Sequence, residues 1–363
     1  MTMDYRARMA RAQEAMRAQG LDWLLVATSA DLTYLMGLRM QPGDRLTALL
    51  LPATGESTLL VPALEAAALD QSAPPAPLLV WPDGTDPLAL IAERLGGART
   101  VGVSESLWAR DLLPLLERLP GTRVAMATPV LRPLRLIKDE AEIDRLRRAA
   151  QAADRVFAHI TSIGLEGRTE IEVAGMLNDL LVDEGHDAPA FTIVASGPHG
   201  AAPHHEPDRR RIARGDLVVL DFGGTIEGYY SDITRTLAVG EPDPERRAAY
   251  EAVRAAQESG VQAVRPGTTT GAVDRATRSA LEQAGYGPYF VHRTGHGLGL
   301  EVHEPPYLVS GDETELRPGM VFSVEPGVYL PGRFGVRIED IVVVTPDGVE
   351  RLNTADRALR VVE

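Results

Sequence analysis

The 363-residue sequence contains no cysteine, few aromatic residues, no long apolar segment and no excess of basic charge. Without cysteine the chain can form neither a disulfide nor a zinc–thiolate site. No apolar run approaches the roughly 18 residues that a membrane-spanning helix needs, so we expect no membrane partner. The opening segment, up to Gly20, interleaves arginine with small apolar residues and lacks the hydrophobic stretch of a signal peptide. We therefore expect a cytoplasmic protein that begins with an amphipathic helix ending at Gly20.

The net charge of −14 excludes another class of partner. A protein that binds a nucleic-acid backbone releases counterions with clustered basic side chains, and this chain has no basic excess, so we expect no nucleic-acid partner. With 44 % apolar residues the sequence can build ordinary hydrophobic cores. Its length exceeds that of a typical single domain, so two domains are expected.

The order of the predicted elements divides the chain near Pro129 to Ile137. Before that point, short apolar strands alternate with helical patterns, which predicts a small α/β domain over residues 1–133. After it, proline-punctuated chain gives way to a long charged helix, and the second domain is predicted over residues 134–363. Helical patterns at about residues 169–185, 243–264 and 270–284 alternate there with strand pairs. This order favours an α+β arrangement with the helices on one face.

Two pairs of acidic residues lie in predicted hairpins of the second domain. Asp221 and Asp232 lie almost symmetrically about the glycine-containing connector of LVVLDFGGTIEGYYSDITRTLAV. Glu325 and Glu339 are equidistant from Gly332 in MVFSVEPGVYLPGRFGVRIEDIVVV. Residues placed symmetrically in an antiparallel hairpin face each other, with Cβ atoms roughly 5 Å apart. The sequence therefore predicts two pairs of opposed carboxylates.

Opposed carboxylates repel each other, and a protein tolerates them when one is protonated or when a cation neutralises both. The alternative, solvated turn charges, is disfavoured because each acid is embedded in an apolar stretch such as VVLD or FSVE. Four carboxylates carry about four negative charges, which two divalent cations would balance. His296 can join them, because the flanking Gly295 and Gly297 allow backbone to approach closely. Oxygen and nitrogen donors without thiolate suit Mn, Co or Zn.

Four further side chains are candidates for contacts with the substrate or with the ligands of such a site. His204, in the loop before the first hairpin, could hydrogen-bond a substrate carbonyl or an oxyanion. The alternation in GLGLEVH places His303 on the face opposite the leucines, so its side chain can face a cleft. His292 lies close by in HRTGHG, and for all three histidines the alternative is a structural role. Arg337, two residues before Glu339 on the same strand face, could hold a carboxylate in place.

Taken in order, these motifs resemble those of the pita-bread metallopeptidases, and specifically the proline-directed group that contains prolidase (Xaa-Pro dipeptidase) and aminopeptidase P. The resemblance covers the whole chain. It includes the linker helix opening IKDEAEI, then GDLVVLDFGG, YYSDITRT, HRTGHGLGLEVHEPP, GMVFSVEPGVY and GVRIED. It implies a pita-bread catalytic domain preceded by a smaller creatinase-like α/β domain. It also implies a complete set of metal ligands: Asp221, Asp232, His296, Glu325 and Glu339.

The resemblance further implies a hydrolase with two divalent cations, most simply manganese, that cleaves Xaa-Pro bonds in small proline-containing peptides. Glu325 would act on the attacking water as general base and then as acid. His204 would help to stabilise the oxyanion, and His303 would lie close to the substrate amide. Proline lacks an N–H and has a fixed φ, so a pocket can select it by shape. A homodimer is expected.

The sequence departs from the family pattern at one position. Many prolidases have an arginine soon after the histidine of GLEVHE, suited to gripping the free carboxylate of a dipeptide. Here the segment is HEPPY, and Tyr307 stands in that place. We predict substrate contacts for His292, Tyr307 and Arg39, with Arg39 acting across a dimer. Arg45, Arg293 or Arg333 could also supply the missing contact.

Several alternatives stay open at this point. Aminopeptidase P activity on longer peptides is the nearest, and the sequence does not separate it from dipeptidase activity. A metal-free, creatinase-like C–N hydrolase is disfavoured by the complete ligand set, and methionine aminopeptidase by the additional amino-terminal domain. Another alternative is a non-catalytic pita-bread protein that binds peptides or proteins. Such a protein would not need the metal ligands, whereas all five are present.

Overall fold

The computed structural model describes residues 3–69 and 75–363, so that residues 1–2 of the predicted first helix lie outside the described residues. The described chain forms two compact units. The first ends at Arg135, and the second is Leu136–Glu363. Across these described residues, no helix combines the length and the apolar character needed to cross a membrane.

The first unit is built from short strands and helices. Its strands are β1 (Trp23–Ala27), β2 (Ala48–Pro52), β3 (Thr58–Pro62), β4 (Leu78–Trp81), β5 (Thr100–Val103) and β6 (Arg123–Met126). Its helices are α1 (Tyr5–Gln19), α2 (Ala30–Met36), α3 (Ala63–Leu69), α4 (Pro87–Arg94), α5 (Ala109–Arg118) and α6 (Thr128–Leu136), the last of which ends just past the division between the units.

The strands of this unit form one mixed sheet in the order β4-β3-β2-β1-β5-β6. The β1–β2 and β2–β3 pairs are antiparallel, whereas the outer pairs are parallel. Leu25, Leu50 and Val101 face a buried core together with apolar residues of α4 and α5. Helix α1 ends at Gly20, whose φ of 67° is the left-handed conformation that favours glycine at a helix end. The predicted α/β content and the predicted end of the first helix are both confirmed.

The second unit contains the longer helices and most of the strands. Its helices are α7 (Glu140–Ile160), α8 (Glu170–Asp183), α9 (Pro244–Ala263) and α10 (Thr270–Gln283), and a short 3₁₀ helix spans Gly197–Ala201. Its strands are β7 (Ala188–Ser196), β8 (Leu217–Ile226), β9 (Tyr229–Tyr230), β10 (Ile233–Val239), β11 (Gly295–Gly297), β12 (Glu304–Leu308), β13 (Val321–Val324), β14 (Gly327–Leu330), β15 (Phe334–Arg337), β16 (Asp340–Thr345), β17 (Gly348–Arg351) and β18 (Arg360–Val362).

Local sequence explains where these helices begin. The side chains of Asp139 and Thr169 cap the amino-terminal ends of α7 and α8. In each case the carboxylate of the glutamate three residues later accepts a hydrogen bond from the backbone N–H of the capping residue, which completes a capping box. The side chains of Asp243 and Thr269 cap α9 and α10. All four helices lie where the sequence predicts them.

The strands of the second unit form two five-stranded sheets and a ribbon. The first sheet has the order β18-β10-β8-β7, with β9 paired to β8, and the second has the order β12-β11-β13-β16-β17. Strands β14 and β15 form the ribbon. Apolar residues of α7 and α8 pack on the first sheet, and those of α9 and α10 contribute to two further cores, one with residues of the first sheet and the ribbon and one with residues of the second sheet. The predicted α+β arrangement is confirmed.

Candidate metal centre

The first acid pair lies in the β8–β10 ladder, but not as predicted. Asp221 pairs with Thr234 across the ladder, and Asp232 lies just before β10, two positions away from Thr234. The tight turn at Glu227 and Gly228, both at positive φ, sets this register. Asp221 and Asp232 are therefore diagonal neighbours on one face, and the prediction that they are directly opposed is wrong.

The second acid pair is opposed as predicted. Val324 pairs with Asp340, and Gly327 pairs with Arg337, so the register between them places Glu325 opposite Glu339. The backbone N–H of Glu339 also donates to the carbonyl of Thr234 at 3.0 Å, an isolated bridge to the strand that follows Asp232. This bridge brings the two acid pairs together.

His296 reaches the acids because its neighbours have no side chains. A Cβ on Gly295 would lie 1.9 Å from the carbonyl oxygen of Ser323, and one on Gly297 would lie 2.3 Å from that of Pro305. The predicted close backbone approach is thus present. The imidazole Nδ1–H donates to the carbonyl of Gly297 at 3.1 Å. This bond leaves the Nε2 lone pair facing the acids, 3.2 Å from Glu325 Oε1.

All five predicted ligands line one cavity of about 600 Å³. Nε2 of His296 is 3.7 Å from a carboxylate oxygen of Asp232. Donor atoms of Asp232, His296 and Glu339 all lie within 4.8 Å of one another. These three side chains are almost completely buried, and Glu325 is only slightly more exposed. Sequence positions more than a hundred residues apart therefore converge on one concave site.

The electrostatics of the cluster call for cations. Burial raises the pKa of Asp232 and of Glu339, and the neighbouring carboxylates raise both further. Burial also raises the pKa of Glu325, to about 7, although Arg337 opposes the change. Among the described residues, Oδ1 of Asp232 and Oε1 of Glu339 are buried polar atoms without a hydrogen-bond partner. Buried carboxylates that repel one another and carry such oxygens fit a site for divalent cations.

The histidine is prepared for the same role. Burial lowers the pKa of His296 to about 3, and the nearby His303 lowers it further, so the ring is neutral at physiological pH. A neutral imidazole with its proton held on Nδ1 presents Nε2 as a metal ligand. The donor set is therefore four carboxylates and one imidazole nitrogen, which suits hard to intermediate divalent ions.

Arg337, in strand β15 of the ribbon, links the ribbon to Asp221 of the first sheet. It is 2 % exposed, and its guanidinium pairs with a carboxylate oxygen of Asp221. The same group donates to the hydroxyl of Tyr329 at 2.8 Å and to Oγ1 of Thr234 at 3.2 Å. It also donates to the carbonyl of Pro203 at 3.3 Å, next to His204. Arg337 thus contacts a predicted ligand across the strands and the loop that carries His204.

Three polar residues that contact these groups are absent from the sequence predictions. Thr234 donates to Glu339 Oε2 at 2.6 Å, and Ser323 donates to Glu325 Oε1 at 3.1 Å. Tyr329 lies between Arg337 and His292. Thr234 and Ser323 each lie two residues from an acid of the same strand region, the spacing that identified Arg337. The signal was therefore in the sequence, because residues two apart on a strand share a face.

The three predicted histidines all line the cavity. The ring of His303 contacts that of His296 edge-on, with centroids 4.2 Å apart. The alternation of faces predicted for GLGLEVH is wrong, because β11 ends at Gly297 and the chain then bends. Val302 and His303 both line the cavity, so the predicted exposure of His303 to a cleft is present. Both ring nitrogens of His292 are engaged, Nδ1 with the carbonyl of Arg293 at 2.7 Å and Nε2 with a hydroxyl at 2.9 Å.

The predicted substrate contacts outside this group lie in different places. Tyr307 is in β12, and the guanidinium of Arg293 stacks over its ring at 4.5 Å from the centroid. Arg293 lines the cavity. Arg39 is an exposed residue of the first unit. The roles predicted for Tyr307 and Arg39 stay predictions.

Comparison with known proteins agrees with this architecture. Residues 8–137 match the model of the Creatinase/Prolidase N-terminal domain, and residues 144–346 match that of Metallopeptidase family M24. The chain is 48 % identical over 363 residues to the probable dipeptidase PepE of Mycobacterium tuberculosis, covering 99 % of this chain and 96 % of that protein. It is 38 % identical over 350 residues to the Xaa-Pro dipeptidase of Pyrococcus horikoshii, covering 95 % of this chain and 96 % of that protein.

A solved structure is similar over the full length. The crystal structure of the recombinant prolidase from Thermococcus sibiricus has a TM-score of 0.95 and 37 % sequence identity, and the match covers 100 % of both chains. The resemblance to the pita-bread metallopeptidases and the predicted two-part fold are therefore confirmed. The chain belongs to metallopeptidase family M24, with a creatinase/prolidase amino-terminal domain in front of the catalytic one.

Proposed function

We propose that this protein is a dinuclear-metal peptidase that hydrolyses Xaa-Pro dipeptides. The observation that carries the proposal is the convergence of Asp221, Asp232, His296, Glu325 and Glu339 on one cavity, where two of the carboxylates have a buried oxygen with no hydrogen-bond partner among the described residues. These five side chains would hold two divalent cations. Mn²⁺ is the first candidate, and Co²⁺ or Zn²⁺ also suits the donor set. The similarity to proteins named as dipeptidases supports the same proposal.

Once bound, the cations would supply Lewis acidity, polarising the scissile carbonyl and lowering the pKa of the attacking water. The protein supplies the proton transfers. Glu325 lies at the cavity with its carboxylate next to Nε2 of His296. In that position it would take the proton of the attacking water and deliver it to the proline nitrogen as the peptide bond breaks. Since that nitrogen leaves as an amine, a proton must reach it before the product can depart.

His204 and His303 would act on the substrate amide. Both are exposed residues that line the cavity. A donor from His204 would stabilise the negative charge that develops on the carbonyl oxygen, while His303 would orient the amide. Arg337 holds the carbonyl of Pro203, the residue before His204, and so would fix the position of this donor. Arg337 would thereby act as a positioning residue for both Asp221 and His204.

One wall of the cavity offers a surface for the proline ring. Phe191, Ile193 and Val302 line the cavity beside the polar cluster. A pyrrolidine ring carries no N–H, so an apolar wall can enclose it without leaving a buried donor unpaired. This wall would favour proline after the scissile bond over residues with a free amide N–H.

The free carboxylate of a dipeptide requires a cationic partner. Arg293 lines the cavity, and stacking on Tyr307 fixes the direction of its guanidinium. Tyr307 would therefore act indirectly, by orienting Arg293. The predicted alternative is Arg39 acting across a homodimer. Arg293→Ala and Arg39→Ala distinguish the two: the variant that raises KM for the dipeptide, without a comparable loss for an amidated dipeptide, identifies the anchor.

The decisive experiment compares a matched pair of substrates, an Xaa-Pro dipeptide and an Xaa-Pro-Yaa tripeptide, with chelated protein reconstituted with Mn²⁺, Co²⁺ or Zn²⁺. We expect cleavage of the dipeptide at a higher kcat/KM. A preference for the tripeptide would instead assign aminopeptidase P activity, the nearest alternative that the sequence leaves open. No cleavage of either by metal-loaded protein would refute the proposal and favour a binding role.

The proposed cytoplasmic location and homodimer rest on the resemblance and on composition. Cell fractionation tests the first, and light scattering of the metal-loaded protein at several concentrations tests the second. A monomer at all concentrations would remove Arg39 of a second copy as a carboxylate anchor.

A further inference from the structure

A second cluster of carboxylates and imidazoles lies outside the catalytic one and shares no residue with it. It consists of Glu170, His199, His205 and Asp208. Glu170 is the first residue of α8, and the other three lie on the segment that follows β7. We propose that this cluster binds one divalent ion of the zinc class. The proposal is independent of the peptidase activity.

The donor atoms are spaced as ligands of one ion. Oε2 of Glu170 lies 2.8 Å from Nε2 of His205 and 3.1 Å from Nδ1 of His199. Nδ1 of His199 lies 3.8 Å from Oδ1 of Asp208, and all four donor atoms lie within 4.8 Å of one another. Two ligands at about 2.0–2.1 Å from a tetrahedral zinc ion are separated by roughly 3.3 Å. Small side-chain adjustments would therefore place all four around one ion.

The charge at the centre of the cluster favours a cation. Glu170 is completely buried. Burial by itself would raise its pKa, but hydrogen bonds from the hydroxyl and amide of Ser196 and from the two histidines hold the pKa down at about 2. The side chain is thus a buried anion, and among the described residues its only ion-pair partners are His199 and His205. Buried charges in proteins are normally paired or bound to metal.

The two imidazoles can change from proton donors to metal ligands. Without an ion, Nδ1 of His199 and Nε2 of His205 must each carry a proton to bond with Glu170. With an ion, each ring carries its proton on the other nitrogen and offers a lone pair at the same position. An ion can enter from solvent, because the side chain of His199 is 30 % exposed and that of Asp208 is 53 % exposed.

The chemistry of the donors selects the class of ion. Two imidazole nitrogens and two carboxylate oxygens, without thiolate, suit Zn²⁺, and also Co²⁺ or Ni²⁺, better than Ca²⁺ or Mg²⁺, which prefer oxygen. The bound ion would tie the start of α8 to the segment from His199 to Asp208. That segment carries His204, so occupancy would restrain a residue at the rim of the catalytic cavity.

The test counts zinc on the full-length protein. Chelated wild type, the double variant His199→Gln/His205→Gln and the control His159→Gln are each equilibrated with buffered Zn²⁺, and bound metal is measured by mass spectrometry. His159 lies on α7, 58 % exposed and paired with Glu184, and so controls for the loss of a surface histidine. We expect wild type and the control to bind about one equivalent more than the double variant. All three proteins would retain the equivalents held by the catalytic cluster.

Equal zinc content of the folded double variant and wild type, up to millimolar free Zn²⁺, would overturn the proposal and leave a hydrogen-bonded cluster. If the double variant does not fold, Asp208→Asn replaces it, because that side chain is half-exposed. Its affinity for the additional zinc should be at least roughly tenfold weaker than that of wild type. An unchanged affinity would again refute the site. Absence of zinc from the catalytic cluster would be a separate result, because it lowers the content of every variant alike.

Discussion

Replacing Tyr329 by phenylalanine should damage both stability and activity, because its hydroxyl joins two residues that line the cavity of the candidate metal centre. The side chain is 4 % exposed. Its oxygen accepts from Arg337 at 2.8 Å, and it lies 2.9 Å from Nε2 of His292. Burial raises the pKa of Tyr329 to about 12, and burial lowers the pKa of His292 to about 4. Both groups are therefore neutral at pH 7.

These protonation states fix the direction of the hydrogen bonds. His292 donates through Nδ1 to a backbone carbonyl, so its Nε2 accepts the proton of the Tyr329 hydroxyl. The hydroxyl oxygen in turn accepts from the guanidinium of Arg337, which pairs with Asp221. A phenylalanine at position 329 would leave the Nε2 atom and one guanidinium N–H without partners in a buried place.

The magnitude follows from the two bonds. A hydrogen bond to a charged group contributes about 1.5–3 kcal/mol and a neutral one about 0.5–1.5 kcal/mol, so Tyr329→Phe should lower the free energy of unfolding by about 2–4 kcal/mol. Loosening the partner of a metal-ligating carboxylate typically costs about 10–100-fold in metal affinity or activity. We expect kcat/KM for an Xaa-Pro dipeptide to fall by that factor.

Tyr250→Phe is the matched control. Tyr250 is equally buried, and its hydroxyl donates one neutral hydrogen bond, to the carbonyl of Arg357 at 3.0 Å. It should lose only about 0.5–1.5 kcal/mol and keep wild-type kcat/KM. Urea denaturation of chelated protein followed by circular dichroism, together with steady-state kinetics at saturating Mn²⁺, measures both quantities. If the two variants behave alike, the hydroxyl of Tyr329 does not position Arg337.

Three other substitutions test separate parts of the structure. Glu325→Gln should lower kcat for the dipeptide by about 10²–10⁴-fold in stopped assays at saturating Mn²⁺, because an amide cannot carry the proton, and a kcat close to wild type would remove Glu325 as the proton carrier. The pKa of Glu170 is about 2, against an ordinary value of 4.5. The ionised Glu170 therefore stabilises the fold fully above about pH 4.5, and this stabilisation is lost as the pH falls towards about 2. In thermal denaturation of chelated protein, the melting temperature of wild type should fall more steeply with decreasing pH than that of Glu170→Gln. Parallel curves for the two proteins would contradict this. Gly295→Ala should destabilise the chain by at least about 1–3 kcal/mol in urea, since its Cβ would lie 1.9 Å from the carbonyl oxygen of Ser323, and an unchanged midpoint would show that the strands can separate there.

The sequence predicted which acids meet in the cavity better than how they are arranged there. Asp221, Asp232, Glu325 and Glu339 could be found because each is an acid in an otherwise apolar strand, which is costly without a partner. The opposition of Glu325 and Glu339 followed correctly from symmetry about a turn. The same rule failed for Asp221 and Asp232 because turn geometry, and not the midpoint of the segment, sets the register.

Contacts between distant segments could not be predicted from one sequence. The bridge between Thr234 and Glu339, and the pairing of Arg337 with Asp221, depend on how two sheets meet. Glu170 is a similar case, because from the sequence it is indistinguishable from an ordinary solvent-exposed acid in the first turn of a helix. Only the fold shows it buried beneath two histidines from a segment about thirty residues away.

The buried arginine changes the charge balance of the catalytic cavity and bears on substrate length. Four ionised carboxylates carry about four negative charges, and Arg337, paired with Asp221, offsets one of them. Two divalent cations would then leave the cavity with an excess of about one positive charge. In a site of low dielectric constant such an excess attracts an anion, and Arg293 adds to it. A dipeptide brings its carboxylate directly beside the scissile bond, whereas a tripeptide places it one residue further away. The charge of the loaded centre therefore favours the shorter substrate even with tyrosine at position 307.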